Sequence, residues 1–541
     1  MKQIFLFFPF LYIFTFNFGL NPTALGTDYN VGPGQALATI SEVPWTTLQA
    51  GDRVFIHWKA SPYKEKWVIN RQGTAAAPIE IIGVNGPLGQ QPVIDGNGAV
   101  TVSGVNYWNE PRGVIKIGGS SIPADGLPNY ITIDNLEVKS GRPPFQFTDD
   151  NGLTQNYANN AAAIYVEKGA NIIIRNCKLS DSGNGIFIGA FDGATENILI
   201  ENNYIYDNGI VGRFLEHNTY TEALGITYQY NRFGPLKTGA LGNNLKDRSA
   251  GLVVRYNWIE SGNRQLDLVD SGSSNLINHP SYTTTYVYGN ILIEPDGAGN
   301  SQIVHYGGDS GSTGNFRKGN LYFYNNTIIS TRTGNTTLTR LSTNDETAEV
   351  FNNTIFTTDV GNRFAMINAN GTFNMDNNWL KTGWVDCHCS PGGTVNDLGN
   401  NVTGTDPLFI DLTIQDFGLQ ANSPLINQAG SIPPTLLPLH NVTLAYIKHL
   451  NSANRNTIGN LDIGAYEYRN QNGNGPGKVG INTTTPQGVL DVVSDNSGLI
   501  LPRVNATSDV ANPVNGMLIY DISSKCVKAF EDGGWSNCLS N

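Results

Sequence analysis

Seven asparagines recur along this chain at a spacing that constrains its fold more than any other feature. Each is followed two places later by an apolar residue, and the gaps between them run roughly from 25 to 36 residues, a range typical of stacked repeats. The segments around them carry Ile, Val, Tyr and Phe at alternate positions, which indicates strands rather than helices. The asparagines are Asn203, Asn231, Asn257, Asn290, Asn326, Asn353 and Asn378.

This pattern predicts an all-β chain whose main part is a right-handed parallel β-helix, a solenoid in which each repeat forms one coil. We expect the asparagines to stack at one turn, each side-chain amide bonding to the next. Cys177 holds the asparagine position in an earlier coil, so we predict a buried free thiol there. Function is then expected where one of the stacked sheets points polar side chains outward.

Size and charge narrow the possible partners. The chain has 541 residues, enough for a large core and a second small domain. Its net charge of −12 and its pI of about 5.1 argue against a nucleic-acid partner and against a broadly basic surface. A local basic cleft remains compatible with these values.

The first 26 residues have the pattern of a secretory signal peptide. Lys2 is followed by an apolar run to about Leu20, and Ala24 and Gly26 are small residues before the expected cleavage site. A membrane anchor is the alternative, but the run is short for a spanning helix. We therefore expect a secreted or cell-surface protein without a transmembrane segment in the mature chain.

The rest of the chain divides into a long and a short part. We predict the β-helix over residues 27–468, a polar Gly-rich linker over 469–478, and a small β-rich C-terminal module over 479–541. The segments "GDRVFIHW" and "DIGAYEY" resemble the first and last turns of secreted bacterial right-handed β-helix proteins. "VGINTTTPQGVLDV" and "GMLIYD" resemble a C-terminal module of Bacteroidetes-type surface proteins, which implies attachment, oligomerisation or export.

Four further cysteines lie outside the repeats. Cys526 and Cys538 flank a hairpin-like segment and are expected to be able to pair in an oxidising compartment. Cys387 and Cys389 form a CxC motif, for which a disulfide, a surface loop and a metal site all stay open.

Charged and histidine side chains concentrate in the middle coils. Alternation places several of them on the outward face of one sheet, about 4.8 Å apart from coil to coil. In the flanking coils, Tyr165, Phe187 and Thr339 are expected at the equivalent outward positions. The concentrated residues are Glu216, His217, Tyr220, Glu222, Lys246, Asp247, Arg248, Arg264, Asp267, Asp270, His305, Tyr306, Asp309 and Arg317.

These residue types suit β-elimination on a uronate-containing polysaccharide. Removing the proton α to a carboxylate needs a base and a positive charge, and a lysine crowded by a second cation gives up its proton more easily. We therefore predict Lys246 as the base, with Arg248, His217, Asp267 and Arg264 as further catalytic residues. His217 or Tyr220 is expected to protonate the leaving oxygen. The predicted substrate-binding residues are Tyr220, Glu222, Asp247, His305, Tyr306 and Arg317.

The run "LKDRSAGLVVRYN" carries a family resemblance. It resembles the Lys-Ser-x motif of pectate lyase-like β-helix polysaccharide lyases of the chondroitinase B and alginate lyase kind. The resemblance implies Lys246 as base, an arginine one coil later and a calcium ion. This chain has Val269 at the arginine position and lacks the Glu-x-Glu calcium ligands. Calcium is instead expected on Glu222, Asp267 and Asp270.

A further resemblance is to secreted, polysaccharide-degrading β-helix proteins with a His-Asn-x-Tyr segment followed by a Lys-x-Arg strand. Two other functions stay open. A glycoside hydrolase would use two carboxylates among Glu222, Asp247, Asp267 and Asp270. A non-catalytic glycan-binding or adhesion protein would use the same surface, since the fold alone does not decide function. Lys246 and Arg248 would then pair with nearby acids as an ion ladder.

Overall fold

The computed structural model describes residues 26–390, 392–457, 459–469, 479–481, 490–492 and 499–539. The predicted signal peptide up to residue 25 and residues 470–478 of the predicted linker lie outside this part of the chain. Within it, the structure has no helix long and apolar enough to cross a membrane. The chain divides into two compact units, with the boundary between Glu467 and Tyr468.

The first unit is a right-handed parallel β-helix, as the repeats predict. Its described strands form three long sheets of 13, 11 and 13 strands, and strands that neighbour one another in a sheet come from successive coils. The ladders are parallel apart from the hairpin of Gln146–Thr148 with Thr154–Asn156 at the end of the third sheet.

The strands of the three sheets have the following bounds. Sheet 1 consists of Asp28–Val31, Arg53–His57, Ile79–Val84, Asn129–Asp134, Ala170–Arg175, Glu196–Glu201, Leu224–Gln229, Ala250–Arg255, Thr284–Tyr288, Gly319–Tyr324, Glu346–Phe351, Thr372–Asp376 and Thr394–Asp397. Sheet 2 consists of Val93–Asp95, Glu137–Lys139, Lys178–Ser180, Tyr204–Ile205, Arg232–Phe233, Trp258–Glu260, Ile291–Glu294, Thr327–Ser330, Thr354–Thr357, Trp379–Lys381 and Val402–Gly404. Sheet 3 consists of Glu65–Ile69, Ala99–Thr101, Gly113–Ile117, Gln146–Thr148, Thr154–Asn156, Ala162–Val166, Asn184–Ile188, Thr219–Thr221, Leu245–Asp247, Leu266–Leu268, Gln302–Tyr306, Thr336–Leu341 and Phe364–Ile367.

Alternation explains why these segments form coils. In each strand every second side chain points into the solenoid, and the parallel register stacks like residues from coil to coil. Leu245, for example, pairs with Leu266 on the next coil, and both are fully buried. Five further side chains at inward positions of sheet 3 are also buried: Ile164, Val166, Ile186, Ile188 and Leu268.

The asparagine ladder forms as predicted. Each side-chain amide donates to the Oδ1 atom of the next asparagine at 3.0–3.1 Å, from Asn203 through to Asn401. The same Oδ1 atoms accept backbone N–H groups, which satisfies polar atoms buried at the turn. Cys177 stands at the start of this ladder as a buried free thiol, and burial raises its pKa to about 12.

Short elements connect and close the coils. The antiparallel pairs are Asn106–Tyr107 with Ser120–Ile122, Phe409–Asp411 with Asp416–Leu419, and Leu444–Ile447 with Asn451–Asn454. The one-turn helices of this unit are Ile40–Glu42, Glu110–Arg112, Phe191–Gly193, Ser274–Ile277, Pro280–Thr283, Thr313–Asn315, Gly361–Arg363 and Pro434–Leu436. Cys387 and Cys389 form a disulfide, so the CxC motif is not a metal site here.

Among its described residues, the second unit has two small sheets. Val479–Ile481 pairs with Leu490–Val492 in parallel. The other sheet has four strands, and a one-turn helix, Thr507–Asp509, precedes three of them. Cys526 and Cys538 are joined by a disulfide. The four strands are Arg503–Val504, Met517–Asp521, Cys526–Glu531 and Gly534–Trp535.

Candidate functional site

One column of outward side chains on sheet 3 carries the ionisable residues. Tyr220 pairs with Lys246, Lys246 with Asp267, and Asp267 with His305 on four successive coils. Parallel pairing stacks these side chains roughly 4.8 Å apart. The middle coils therefore bring Tyr220, Lys246 and Asp267 together, as the sequence predicts.

The prediction for Thr339 is wrong. Arg340 is the residue that pairs with His305, whereas Thr339 pairs with Val304 and is fully buried. Because side chains alternate along a strand, an error of one residue in register exchanges the two faces. The outward column consequently continues with a cation beyond His305.

Lys246 stands between two carboxylates. Its Nζ atom donates to Asp267 Oδ2 at 2.6 Å and to Asp309 Oδ2 at 2.5 Å. Arg248 Nη2 donates to the other oxygen of Asp309 at 2.7 Å. Burial alone would raise the pKa of Asp309, but Lys246 and Arg248 outweigh it and the pKa is lowered. Asp309 is thus held as an anion between two cations.

Buried polar side chains hold the Asp267 carboxylate in place through hydrogen bonds. His305 Nδ1 lies 2.8 Å from Asp267 Oδ1, and His305 Nε2 lies 2.9 Å from Ser342 Oγ. Asn243 Nδ2 donates to Asp267 Oδ2 at 2.6 Å. Burial would raise the pKa of Asp267, but His305, Lys246 and Arg264 lower it strongly. His305 therefore positions the carboxylate and does not line the groove, where it was predicted to bind substrate.

His217 reaches the site as a neutral imidazole. Its Nδ1 atom accepts the backbone N–H of Asn243 at 2.8 Å. Burial, reinforced by the charge of Lys246, lowers its pKa to about 3. A neutral ring whose Nδ1 is an acceptor carries its hydrogen on Nε2. His217 can therefore donate a hydrogen bond through Nε2, but as a neutral imidazole it is a poor general acid.

In the outward column, Tyr220 lies between Phe187 on the preceding coil and Lys246 on the next. Its hydroxyl accepts from Arg248 Nε at 3.0 Å, which leaves the hydroxyl hydrogen for a further acceptor. Its ring packs edge-on against Phe187 and His217, with centroids 5.2 and 5.6 Å away. This packing fixes the direction of the hydroxyl group.

These side chains border a groove with a volume of about 840 Å³. Among the described residues that line it, four cations (Arg213, Lys246, Arg248 and Arg264) face three carboxylates (Glu216, Asp267 and Asp309). The groove has one excess positive charge in a protein of net charge −12. The other residues that line it are Asn159, Asn160, Phe187, Phe214, Leu215, His217, Tyr220, Asn243, Asn263 and Ser310.

Three residues predicted to bind substrate lie inside the solenoid instead. Asp247 follows Lys246 in the strand and so points inward, where it accepts from Thr221 Oγ1 and from Ser249 Oγ, each at 2.8 Å. Arg317 Nη2 lies 3.5 Å from Asp247 Oδ1. Tyr306 is also fully buried. Asp247 and Arg317 compensate each other's charge in the solenoid interior. Asp247, Arg317 and Tyr306 are therefore not placed to contact a ligand in the groove.

The residues predicted to hold calcium do not fit that role. Glu222 accepts from Ser271 Oγ at 2.5 Å, Asp270 accepts from the backbone N–H of Asp309 at 2.8 Å, and Asp267 faces Lys246. Among the described residues, one cluster of three acidic side chains has carboxylate oxygens within 4.8 Å of one another, and it lies outside the groove. Its members are Glu110, Asp149 and Asp150. A calcium ion needs six to eight oxygen ligands around one point.

The sequence places Asp309 among the concentrated charged residues but assigns it no role, and it does not single out Ser342. Asp309 lies in the glycine-rich run "VHYGGD", in the loop that directly follows the strand of His305. Because that strand contributes to the outward column, residues of this loop could have been considered as site candidates. For Ser342 the sequence contains no comparable signal, because its loop lies one coil further on.

Comparisons with known proteins agree with the fold. A family model described as "Right handed beta helix region" matches residues 93–291, and one described as "Phage tail like trimerisation region" matches residues 480–541. No curated protein matches the chain.

Several solved structures are similar at low identity. A pectate lyase, Pel9A, is 11% identical over 82% of this chain and 97% of its own, with a TM-score of 0.42. An alginate lyase from Paenibacillus sp. str. FPU-7 is 12% identical over 64% and 93%, with a TM-score of 0.36. A GH136 lacto-N-biosidase from Eubacterium ramulus is 14% identical over 70% and 68%, with a TM-score of 0.39.

Proposed function

We propose that this protein is a polysaccharide lyase that cleaves an acidic, uronate-containing glycan by β-elimination. The observation that carries the proposal is the groove on sheet 3, where a net positive charge meets a tyrosine hydroxyl held by Arg248. An acidic protein that keeps excess cations in one cleft suits an anionic ligand better than a neutral one.

The chemistry requires a proton to leave C5 of the uronate and the C4–O bond to break. Electrons from the C5–H bond form the C4–C5 double bond, and the leaving oxygen takes up a proton. Charge that builds up on the uronate carboxylate during this step is stabilised by fixed cations. Arg248 and Arg264 are suited to that task because a guanidinium fork matches a carboxylate.

Two groups are candidates for the proton transfer. Lys246 is the base that the sequence predicts, yet its Nζ atom already donates to Asp267 and Asp309 and forms an ion pair with each of them. The Tyr220 oxygen accepts a hydrogen bond from Arg248 Nε and lines the same groove as Lys246. We therefore assign both proton transfers to Tyr220, whose deprotonated oxygen takes the C5 proton and then gives that proton to the leaving oxygen, and we assign carboxylate binding to Lys246. His217 is assigned a hydrogen bond to the sugar through Nε2.

A retaining glycoside hydrolase is the second candidate. Asp267 and Asp309 both bind Lys246 Nζ, so their nearest oxygens lie closer than the separation of about 6.5–9.5 Å that inversion needs. Hydrolysis also needs one carboxylic acid that is protonated, and the pKa values of both Asp267 and Asp309 are lowered. This electrostatic state favours elimination.

The test is incubation of the purified protein with alginate, polygalacturonate and chondroitin sulfate. Elimination is expected to produce ultraviolet absorbance from the new C4–C5 double bond. New reducing ends without that absorbance would contradict the lyase proposal and support the glycoside hydrolase. Binding without any cleavage would leave the non-catalytic glycan-binding or adhesion protein.

We also propose that the protein is secreted or displayed at the cell surface and is oligomeric. The signal-like first 26 residues and two disulfides, Cys387–Cys389 and Cys526–Cys538, support an oxidising compartment. The match of residues 480–541 to a trimerisation region supports assembly through the second unit.

A further inference from the structure

Two loops beside the groove expose apolar side chains. We call residues 209–216 and 236–242 the wall loops. Val211 and Phe214 are each 66% exposed, Leu215 is 56% exposed and Leu241 is 49% exposed. Single exposed apolar residues are common on proteins, but a cluster of large ones marks a binding surface.

The wall loops hold each other in place. Gly212 N donates to Gly239 O and Leu241 N donates to Arg213 O, both at 2.8 Å. The Arg213 guanidinium donates to the buried carboxylate of Glu216 at 3.0 Å. A ligand that binds a surface fixed in this way loses little free energy to ordering it.

Three of the four apolar side chains line two adjoining cavities. Phe214 and Leu215 line the groove together with Tyr220, Lys246 and Arg248. Leu241 lines a second cavity of about 240 Å³ between the loops around residues 236–241, 261–263 and 297–299. Asn263 borders both cavities. Val211 lines neither, although it is as exposed as Phe214.

We propose that Phe214 is a platform for a sugar ring next to the one that reacts. This inference rests on the proposed function, since it concerns the same glycan in the same groove. A sugar ring is polar at its edge and carries C–H groups on its faces, so an aromatic ring packs against a face while cations bind the carboxylate.

A sugar is a better occupant than a protein partner. A stable protein–protein interface takes about 20–30 residues a side, and the wall loops offer four large apolar side chains. The groove continues from Phe214 to Lys246 without leaving the same cavity, so one oligosaccharide can contact both. Phe214 thus determines how strongly a neighbouring sugar unit contributes to binding.

The experiment compares wild type with Phe214→Ala, Phe214→Tyr and Val211→Ala. Binding is measured by retardation in native gels that contain alginate, polygalacturonate, chondroitin sulfate or neutral xylan, and cleavage is measured on the retarding glycan. We expect Phe214→Ala to weaken binding and raise KM about 3- to 10-fold with kcat little changed. Phe214→Tyr keeps the ring and Val211→Ala is the exposure-matched control, so both should behave like wild type.

The outcomes separate the two proposals. Equal retardation of Phe214→Ala and Val211→Ala would overturn the platform, whatever the cleavage chemistry. Loss of self-association in Phe214→Ala without a change in glycan binding would also overturn it, in favour of a protein contact. Weaker retardation of Phe214→Ala without elimination by wild type would support the platform and contradict the lyase. If no glycan retards wild type, the platform is overturned, and the absorbance assay alone decides the lyase.

Discussion

Lys246 shows how neighbours decide what a residue can do in this groove. The sequence places a second cation, Arg248, two residues away, which suggests a lysine that loses its proton easily. The structure adds Asp267 and Asp309, each within 2.6 Å of Nζ. At that distance each carboxylate forms a close ion pair with Nζ. Lys246 is therefore best described as a fixed cation of the groove.

Replacing Lys246 and Tyr220 separately distinguishes their roles. We expect Tyr220→Phe to lower kcat at least about 100-fold, the usual effect of losing a proton-transfer group. Lys246→Arg keeps the positive charge, so we expect a raised KM and a kcat within about tenfold of wild type. Steady-state kinetics on the cleaved glycan measure both. A kcat for Lys246→Arg as low as that of Tyr220→Phe would restore Lys246 as the base.

His217 makes stability depend on pH. Its pKa is about 3 when folded and about 6.5 when unfolded. Between these values the unfolded chain binds a proton there and the folded chain does not. The free energy of unfolding therefore falls as pH drops, by up to about 1.4 kcal/mol per pH unit from this site. His217→Asn keeps an acceptor for Asn243 but does not titrate, so we expect the Tm difference from wild type to shrink between pH 7 and pH 4. A constant difference would contradict a neutral His217.

The calcium ion that the resemblance implies has no assembled set of ligands on the three predicted acids. Because Glu222, Asp267 and Asp270 each bind separate partners, we expect treatment with EDTA to leave cleavage unchanged. Activity measured before and after chelation, and after adding back calcium, tests this. Loss that calcium alone restores would show that the ion is required.

At the scale of elements, the asparagine ladder is the main polar support of the turns. The Oδ1 atom of Asn290 accepts both the backbone N–H and the side-chain amide of Asn257, and its own amide reaches Val254 O. We expect Asn290→Ala to lower the free energy of unfolding by roughly 3 kcal/mol or more, because these buried groups lose their partners.

Cys177→Ala is the matched control at the start of the ladder. Cys177 has no amide to extend the ladder, so its replacement should cost about 1 kcal/mol, from lost packing and from the weak hydrogen bond of Sγ to Arg175 O. Denaturant unfolding of both variants makes the comparison. Equal destabilisation would mean that the ladder contributes no more than side-chain volume.

Regular elements were predictable from the sequence, and irregular ones were not. Alternation identified the coils, the buried stacks and the outward positions of Lys246 and Asp267, because strand geometry repeats every two residues. Thr339 was misplaced by one residue, since that stretch has polar residues on both faces. Asp309 reaches Lys246 from a loop 63 residues along the chain, and no periodicity in sequence encodes such a contact.

At the scale of the whole molecule, the groove belongs to the first unit and the trimerisation-like region to the second. We expect a chain that ends after residue 469 to be monomeric in light scattering and to keep the full-length activity per chain. The full-length chain is expected to be a trimer. A trimeric truncated chain, or a monomeric full-length chain, would contradict assembly through residues 480–541.

The most direct test of elimination is to let the protein cleave its substrate glycan in oxygen-18-labelled water. The masses of the products are then measured by mass spectrometry. Elimination breaks the C4–O bond without adding water, so we expect products that contain an unsaturated uronate and no label from the cleavage step. One labelled oxygen for every bond cleaved would show hydrolysis and would contradict the lyase.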